Sequence, residues 1–457
     1  MGAVTTAVEQ TYRYMRPSMI TNGPAGFDVL LSTSGGTTAA GPVEHPRFFD
    51  GFLGHAEQTA TALLAVAKVA RTRFYVPPGM LAAILRAADP VVTSNGDRLR
   101  FESFSACCGV YARLDLLSGA LDGPALGTGT TNVDFNPPMR EALAKVSGLD
   151  PLHMRVGEDV VVTTMDASVT EEKVPLPERW LKGFAEVQLV GSTMRPVMEL
   201  PTVEARRFLR SLPTSTGTRT PAMFAAPAGR GARLTSRSGP GTVPLAGPER
   251  LRVLDPLLRF ATCLRAYAGP EADGASVWEL DLRDARLVVA LSPEVSRGFS
   301  GEGGVLRDLA DDQSSGDADL ISALLAFEPR IDIAHLAREA DLTPERVQRA
   351  LGRLGAAGRV GFDCAEGAFF HRELPYDAAA LVAMHPRLRD ARALLEAGAV
   401  RNDPADPDIT LVRSGDAEHL VRRTDGGLRC SCPWYGKHKA SRGPCKHVLA
   451  AELYQRR

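Results

Sequence analysis

Apolar residues along this chain follow two periodicities, and their changeovers divide it. Ala60, Leu63, Leu64, Ala67 and Ala70 recur at helical spacing and predict an amphipathic helix over 56–73. Runs at 91–93 and 99–104 flank Asn95-Gly96-Asp97 and read as a hairpin, continued by a strand at 110–117. Pro77-Pro78 opens a helical pattern that stops at Asp89-Pro90, ahead of that hairpin. Sixty residues later Pro137-Pro138 opens another, through Ala142, Leu143 and Val146, which stops at Asp150-Pro151 ahead of strands at 152–156 and 160–164. Two readings stand, an internal duplication or helix–hairpin units alike by chance. Residues 1–210 are expected to form an N-terminal α+β domain, and a true duplication would make it pseudo-symmetric, with helices packed on an antiparallel sheet.

From 211 to 249 the periodicity fades into Gly, Pro, Ser, Thr, Ala and Arg, including Arg219, Arg230, Arg233 and Arg237. That composition predicts a flexible linker or long surface loop. Residues 250–317 read as a small α+β segment, with a helix over 251–267 and a hairpin of 276–282 with 286–291. Residues 318–400 then resolve into helices at 319–327, 333–340 and from Pro344, followed by paired strands at 359–362 and 368–372. Thr343 is a good N-cap with Pro344 behind it. Val347, Ala350, Leu351 and Leu354 share the core face of that third helix, while Arg346, Arg349 and Arg353 share another. Three helices and a two-stranded wing predict a winged helix-turn-helix-like middle domain. Its arginines are candidate nucleic-acid contacts, although such domains also dock proteins. A helix over 374–399 is interrupted at His385-Pro386, and Asn402 to Asp408 reads as a hinge.

After the hinge, apolar and polar residues alternate over 409–413, 419–423 and 428–432, with a turn at Thr424-Asp425-Gly426-Gly427. The last of these runs ends in Cys430-Ser431-Cys432. Cys445-Lys446-His447 follows, opening a helix through Val448, Leu449, Glu452 and Leu453. Three thiols and an imidazole in two tight pairs are a donor set that tetrahedral zinc takes in closed structural sites. Residues 408–457 are therefore expected to be a small ββα module stapled by one structural Zn2+, held by Cys430, Cys432, Cys445 and His447. His438 is a rival fourth ligand from the intervening loop. Fifty residues bury too little to fold unaided, so the metal should decide whether the module folds.

This CxCx(12)CxH arrangement before an apolar helix, with Pro433 after the second Cys and Lys446 between the last Cys and His, resembles the SWIM zinc finger. The resemblance implies a module that binds DNA or protein and does not catalyse. More widely, Phe48-Phe-Asp-Gly51-Phe52, Arg98-Leu-Arg-Phe-Glu102-Ser-Phe and residues 177–186 resemble bacterial, actinobacterial-type SWIM proteins. Their genes lie beside those of MoxR-type AAA ATPases and von Willebrand A domain proteins. That resemblance implies an adaptor that recruits such protein partners in an ATPase-associated system.

Composition narrows the remaining choices. The chain has 457 residues, 44% of them hydrophobic, enough for several cores, and a formal net charge of −1. The C-terminal stretch departs from that balance. Lys437, Lys439, Arg442 and Lys446 belong to a local excess of six basic residues from Arg429 onward, which makes them further candidate nucleic-acid contacts. Seven cysteines, three of them ligand candidates, suit a reducing compartment better than a disulfide framework. Neither a leader pattern nor an apolar run near eighteen residues is present, so a cytoplasmic protein off the membrane is expected. Motifs for zinc hydrolysis, phosphate loops or dinucleotides are absent. Ser34-Gly-Gly-Thr37 lacks the P-loop lysine, and the frame around Ser300 fails at Glu302. No catalytic residue is assigned, and an unrecognised site is left open only within 46–210. Two functional readings remain, a zinc-stabilised interaction protein and a DNA-binding regulator.

Overall fold

The computed structural model describes residues 10–12, 17–23, 26–43, 46–74, 89–148, 150–157, 174–176, 178–214, 222–270, 274–301, 303–310, 315–374, 385–439 and 442–456. Its centre is a ten-stranded antiparallel sheet. Arg195–Pro201 forms one edge, followed in order by Cys263–Ala268, Ser276–Leu282, Ala285–Leu291, Val110–Leu116, Leu99–Phe104, Val91–Ser94, Gly129–Asn132, Gly36–Thr38 and Gly41–Val43. One face is apolar: Leu99, Phe101, Leu114 and Leu287 pack with Leu63, Val66 and Ala67 of the Ala56–Arg71 helix. That helix has Glu57 in its first turn and Lys68 and Arg71 in its last, the arrangement its dipole favours. A five-stranded sheet shares the same core. It orders Leu121–Asp122, Phe49–Leu53, Leu152–Val156, Gly26–Leu31 and Met19–Gly23, with a parallel pairing between the third and fourth.

The opposite face of the large sheet carries charge. Arg100 pairs across to Asp115, which pairs to Arg286, and in the next row Glu102 stands opposite Arg113. These side chains alternate with the apolar ones, yet they too are buried. Their cover is a hairpin from far along the chain, Val360–Asp363 with Ala368–His371. Asp363 accepts from Arg100 at 3.2 Å and from Arg286 at 2.9 Å, and lies 3.2 Å from Arg113. Arg372 reaches Glu102 at 2.6 Å, and the Phe370 ring lies 4.0 Å beneath the Arg100 guanidinium. Asn95 donates to the carbonyls of Phe327 and His371 at 2.9 and 3.0 Å. Beyond the hairpin the Glu178–Thr193 helix covers the same face, with Trp180 and Phe184 against Phe104 and Tyr111.

Three helices precede that hairpin: Ser315–Leu324, Ile333–Glu339 and Pro344–Ala356. As expected, Thr343 caps the third, its hydroxyl accepting from the Arg346 amide at 3.4 Å, and Val347, Ala350, Leu351 and Leu354 are buried. The Asn136 side chain likewise caps Pro137–Leu143, accepting from Met139 at 3.0 Å.

Several boundaries differ from the sequence expectation. Residues 222–245 of the expected linker form a three-stranded sheet, Phe224–Ala228, Gly231–Thr235 and Val243–Pro244, because Ala225, Val243 and Leu245 fill the main core. The expected 251–267 helix is instead a run of 3-10 turns, Pro248–Leu257, followed by a sheet strand. Residues 250–317 are no separate segment, since the strands at Cys263–Ala268, Ser276–Leu282 and Ala285–Leu291 complete the large sheet. The Pro386–Glu396 helix, placed with the middle domain, packs instead on the C-terminal Lys446–Gln455 helix. Val400–Asn402 adds a strand to the zinc module, so the expected hinge is a hairpin turn. Of the two similar helix–hairpin units, Val91–Ser94 and Leu152–Val156 lie in different sheets. The helix of the first unit and the last strand of the second fall outside the described residues.

The docked hairpin predicts an acid-sensitive interface. Burial would push Asp115 and Asp363 up, but Arg113, Arg100 and Arg286 outweigh it and hold both below the ordinary carboxylate range. Their stabilising contribution is complete above the unfolded value of about 4 and is lost as pH falls below it. Asp363→Asn should cost about 3–5 kcal/mol in urea unfolding at pH 7, because it strands buried guanidiniums. The same variant should flatten the loss of stability between about pH 4 and 2.

Candidate metal centre

Each ligand of the C-terminal cluster sits at the end of an element. Cys430 closes the Gly427–Cys430 strand, Cys432 caps Pro433–His438, and Cys445 caps Lys446–Gln455, which carries His447 in its first turn. The four donor atoms lie within 4.8 Å of one another, and all four residues are buried. Cys430 Sγ and His447 Nδ1 are 3.8 Å apart. A tetrahedron with bonds of about 2.3 Å has edges of about 3.8 Å, so the donors need only a slight contraction to close on one ion.

Backbone amides prepare the sulfurs. Cys432 N donates to Cys430 Sγ at 3.4 Å, Tyr435 N to Cys432 Sγ at 3.3 Å and Val448 N to Cys445 Sγ at 3.4 Å. Two of these amides open helices, where backbone N–H groups and dipole both favour a thiolate. Crowding three sulfurs together splits their acidity. The hydrogen bond from Cys430, with others from His447 and Val448, brings Cys445 down to about 4. Donating that bond drives Cys430 up, and burial raises Cys432. Only a dication at the centre lets all three ionise together, which is the chemistry of this donor set. The cluster is a structural zinc site. Its four protein donors close the tetrahedron, and a site filled in this way holds chain segments together.

The surroundings bind the module to the body. Arg387 donates to the carbonyls of Arg442 at 2.6 Å and Pro444 at 3.0 Å, and its guanidinium lies 4.9 Å from the Trp434 ring. It thus grips the loop between the ligand pairs from both sides. The His419 ring packs at a tilt against that of His447, with centroids 4.2 Å apart. Arg307 reaches Glu452 at 3.0 Å, and a Cβ at Gly443 would strike the Gly303 carbonyl. Val448 and Leu449 belong to one buried core with Trp180, Phe184 and Leu388. None of these supports was evident in the sequence, because each joins distant residues without a spacing rule.

Of the rival and secondary candidates, His438 lies apart from the cluster and packs on Trp434 with centroids 4.8 Å apart. Lys437 and Lys439 are exposed at the end of the Pro433–His438 helix, whereas Arg442 and Lys446 are half-buried. Arg346 is held by Asp317 at 2.6 Å, Arg349 is exposed, and Arg353 is half-buried 3.5 Å from Ser315. The Leu306–Ala310 helix packs against both Pro344–Ala356 and Lys446–Gln455, standing between the two basic groups. Glu186 accepts from the amides of Gly304 and Val305 at 3.0 and 3.4 Å, which accounts for its burial.

The SWIM zinc finger family model matches residues 419–455. No curated protein matches the chain. Among solved structures, proliferating cellular nuclear antigen from Entamoeba histolytica is similar at 10% identity and a TM-score of 0.32, covering 53% of this chain and 98% of that one. So slight a likeness carries no inference.

The reduced protein should contain one zinc per chain by elemental analysis. His447→Ala should lose the metal and His438→Ala keep it. Zinc binding is worth about 10–16 kcal/mol in small fingers. Because the module shares its core with the body, chelation should both expose 400–456 to protease and lower the melting temperature of the whole chain. Arg387→Ala should retain zinc but surrender it faster to a chromogenic chelator.

Proposed function

We propose that this chain is a non-enzymatic scaffold, stapled by zinc at its C-terminal end, that recruits protein partners. The observation that carries the reading is the burial of the hairpin that follows the three helices. In a DNA-reading winged helix the third helix enters the major groove, and the wing beside it is free to meet the backbone. Here Val360–His371, the wing of a winged-helix-like unit, is committed to Arg100, Arg113 and Arg286. One arginine of the third helix is already tied to a carboxylate of the first, Arg346 to Asp317. Such a unit serves better as a wall of the scaffold than as a reader of DNA.

By the resemblance of the wider chain to actinobacterial-type SWIM proteins, the partners are a MoxR-type AAA ATPase or a von Willebrand A domain protein. ATP would be hydrolysed by the partner. Among the described residues Cys107, Cys108, Cys263 and Cys364 form no disulfide, which suits a cytoplasmic setting. Among the described residues no helix is long and apolar enough to cross a membrane.

Salt separates this reading from a DNA-binding regulator. Phosphate contacts weaken steeply with ionic strength, log K falling by about 0.9 per contact per log unit of salt. The scaffold should show only weak, sequence-independent anisotropy changes with duplex DNA, and should capture the same protein partners from native extract with and without competing DNA. Tight DNA binding that weakens steeply as salt rises and is lost in Arg349→Glu or Lys437→Glu would contradict it.

A further inference from the structure

The four-stranded sheet of the zinc module has two unlike faces. Val400, Val412, Val421 and Cys430 share the face on the metal and helices. The register gathers Arg401, Arg413, Arg422 and Arg429 on the other, all exposed. Arg422 stands directly opposite Arg429, a pairing that weakens a sheet unless an anion uses it. Between the arginines lies Leu420, 44% exposed and opposite Leu411. Two carboxylates touch this face, Glu418 on Arg401 at 2.9 Å and Asp406 on Arg422 at 3.4 Å. They leave an excess of two positive charges around one exposed leucine.

We propose that this face docks an acidic protein segment, an extended stretch whose carboxylates flank a large apolar side chain. Its carboxylates would meet Arg422, Arg429 and Arg413, and its apolar group would cover Leu420. The inference deepens the scaffold reading and rests on it. Charge complementarity selects an anion, and arginine forks suit planar carboxylates. Leucine selects a protein over a nucleic acid, since single strands are held by stacking on aromatic rings and this face has none. Glu418 and Asp406 already seat carboxylates on the same arginine lattice.

The test uses the full-length, zinc-loaded chain and a fluorescein-labelled ten-residue peptide alternating Glu with Leu. Controls are the same peptide with Lys for Glu, duplex DNA and oligo-dT. The acidic peptide should bind and the lysine peptide should not. R422E/R429E should weaken binding by about tenfold or more. Leu420→Ser should weaken it about threefold at unchanged zinc content, a loss that pure charge attraction would not give. Equal binding by wild type and both variants, no binding of the acidic peptide, or tighter binding of either nucleic acid at these residues would overturn the proposal. If R422E/R429E still captures the native partners, the face is refuted while the scaffold stands. If the acidic peptide discriminates the variants but no partner is ever captured, the face stands and the scaffold loses its support.

Discussion

Arg100, Arg113 and Arg286 are buried together on one face of a sheet, and charge in such a place is tolerable only when countered. Within that cluster the sheet supplies Asp115 from its own strands, and the hairpin brings Asp363, with Glu366 of its turn also on Arg286 at 3.2 Å. Undocking would strip Asp363 from the three guanidiniums and expose Phe370. The hairpin is therefore a part of the body in physical terms, although two hundred and sixty-three residues separate Arg100 from Asp363. Everything that follows inherits its position: the three helices stand on the hairpin, and the zinc module leans on the same core.

Zinc works at the far end of that chain of supports. The three sulfurs resist common ionisation until a dication joins them, so metal and local fold are one equilibrium. Arg387, Glu452 and the close approach of Gly303 to Gly443 transmit that local order to the body. A module expected behind a hinge is thus continuous with the interior, and the arginines on one face of its sheet stay exposed.

The sequence showed the ligands plainly because zinc demands particular residue types at short spacing. Thr343-Pro344 and Pro137-Pro138 likewise marked helix starts through local chemistry alone. What escaped was non-local. The composition of 211–249 hid Ala225, Val243 and Leu245, a few apolar residues enough to order a small sheet. Leu251, Leu254, Leu257 and Leu258 have helical spacing, but Pro256 and the tighter 3-10 turns break the helix that spacing suggests. Alternating charges in Leu99–Phe104 and Val110–Leu116 look like a solvent face. Only tertiary contact reveals that a distant hairpin covers them, and only tertiary contact joins strands of two expected segments, 1–210 and 250–317, in one sheet.

Hydrogen–deuterium exchange on the zinc-loaded chain, with and without duplex DNA, addresses the committed hairpin most directly. If the account is right, the amides of Val360–Asp363 and Ala368–His371 exchange as slowly as those of Leu99–Phe104 and Val110–Leu116, and DNA leaves them unchanged. A hairpin that exchanges fast while the sheet stays protected, or that gains protection only when DNA is added, would contradict it.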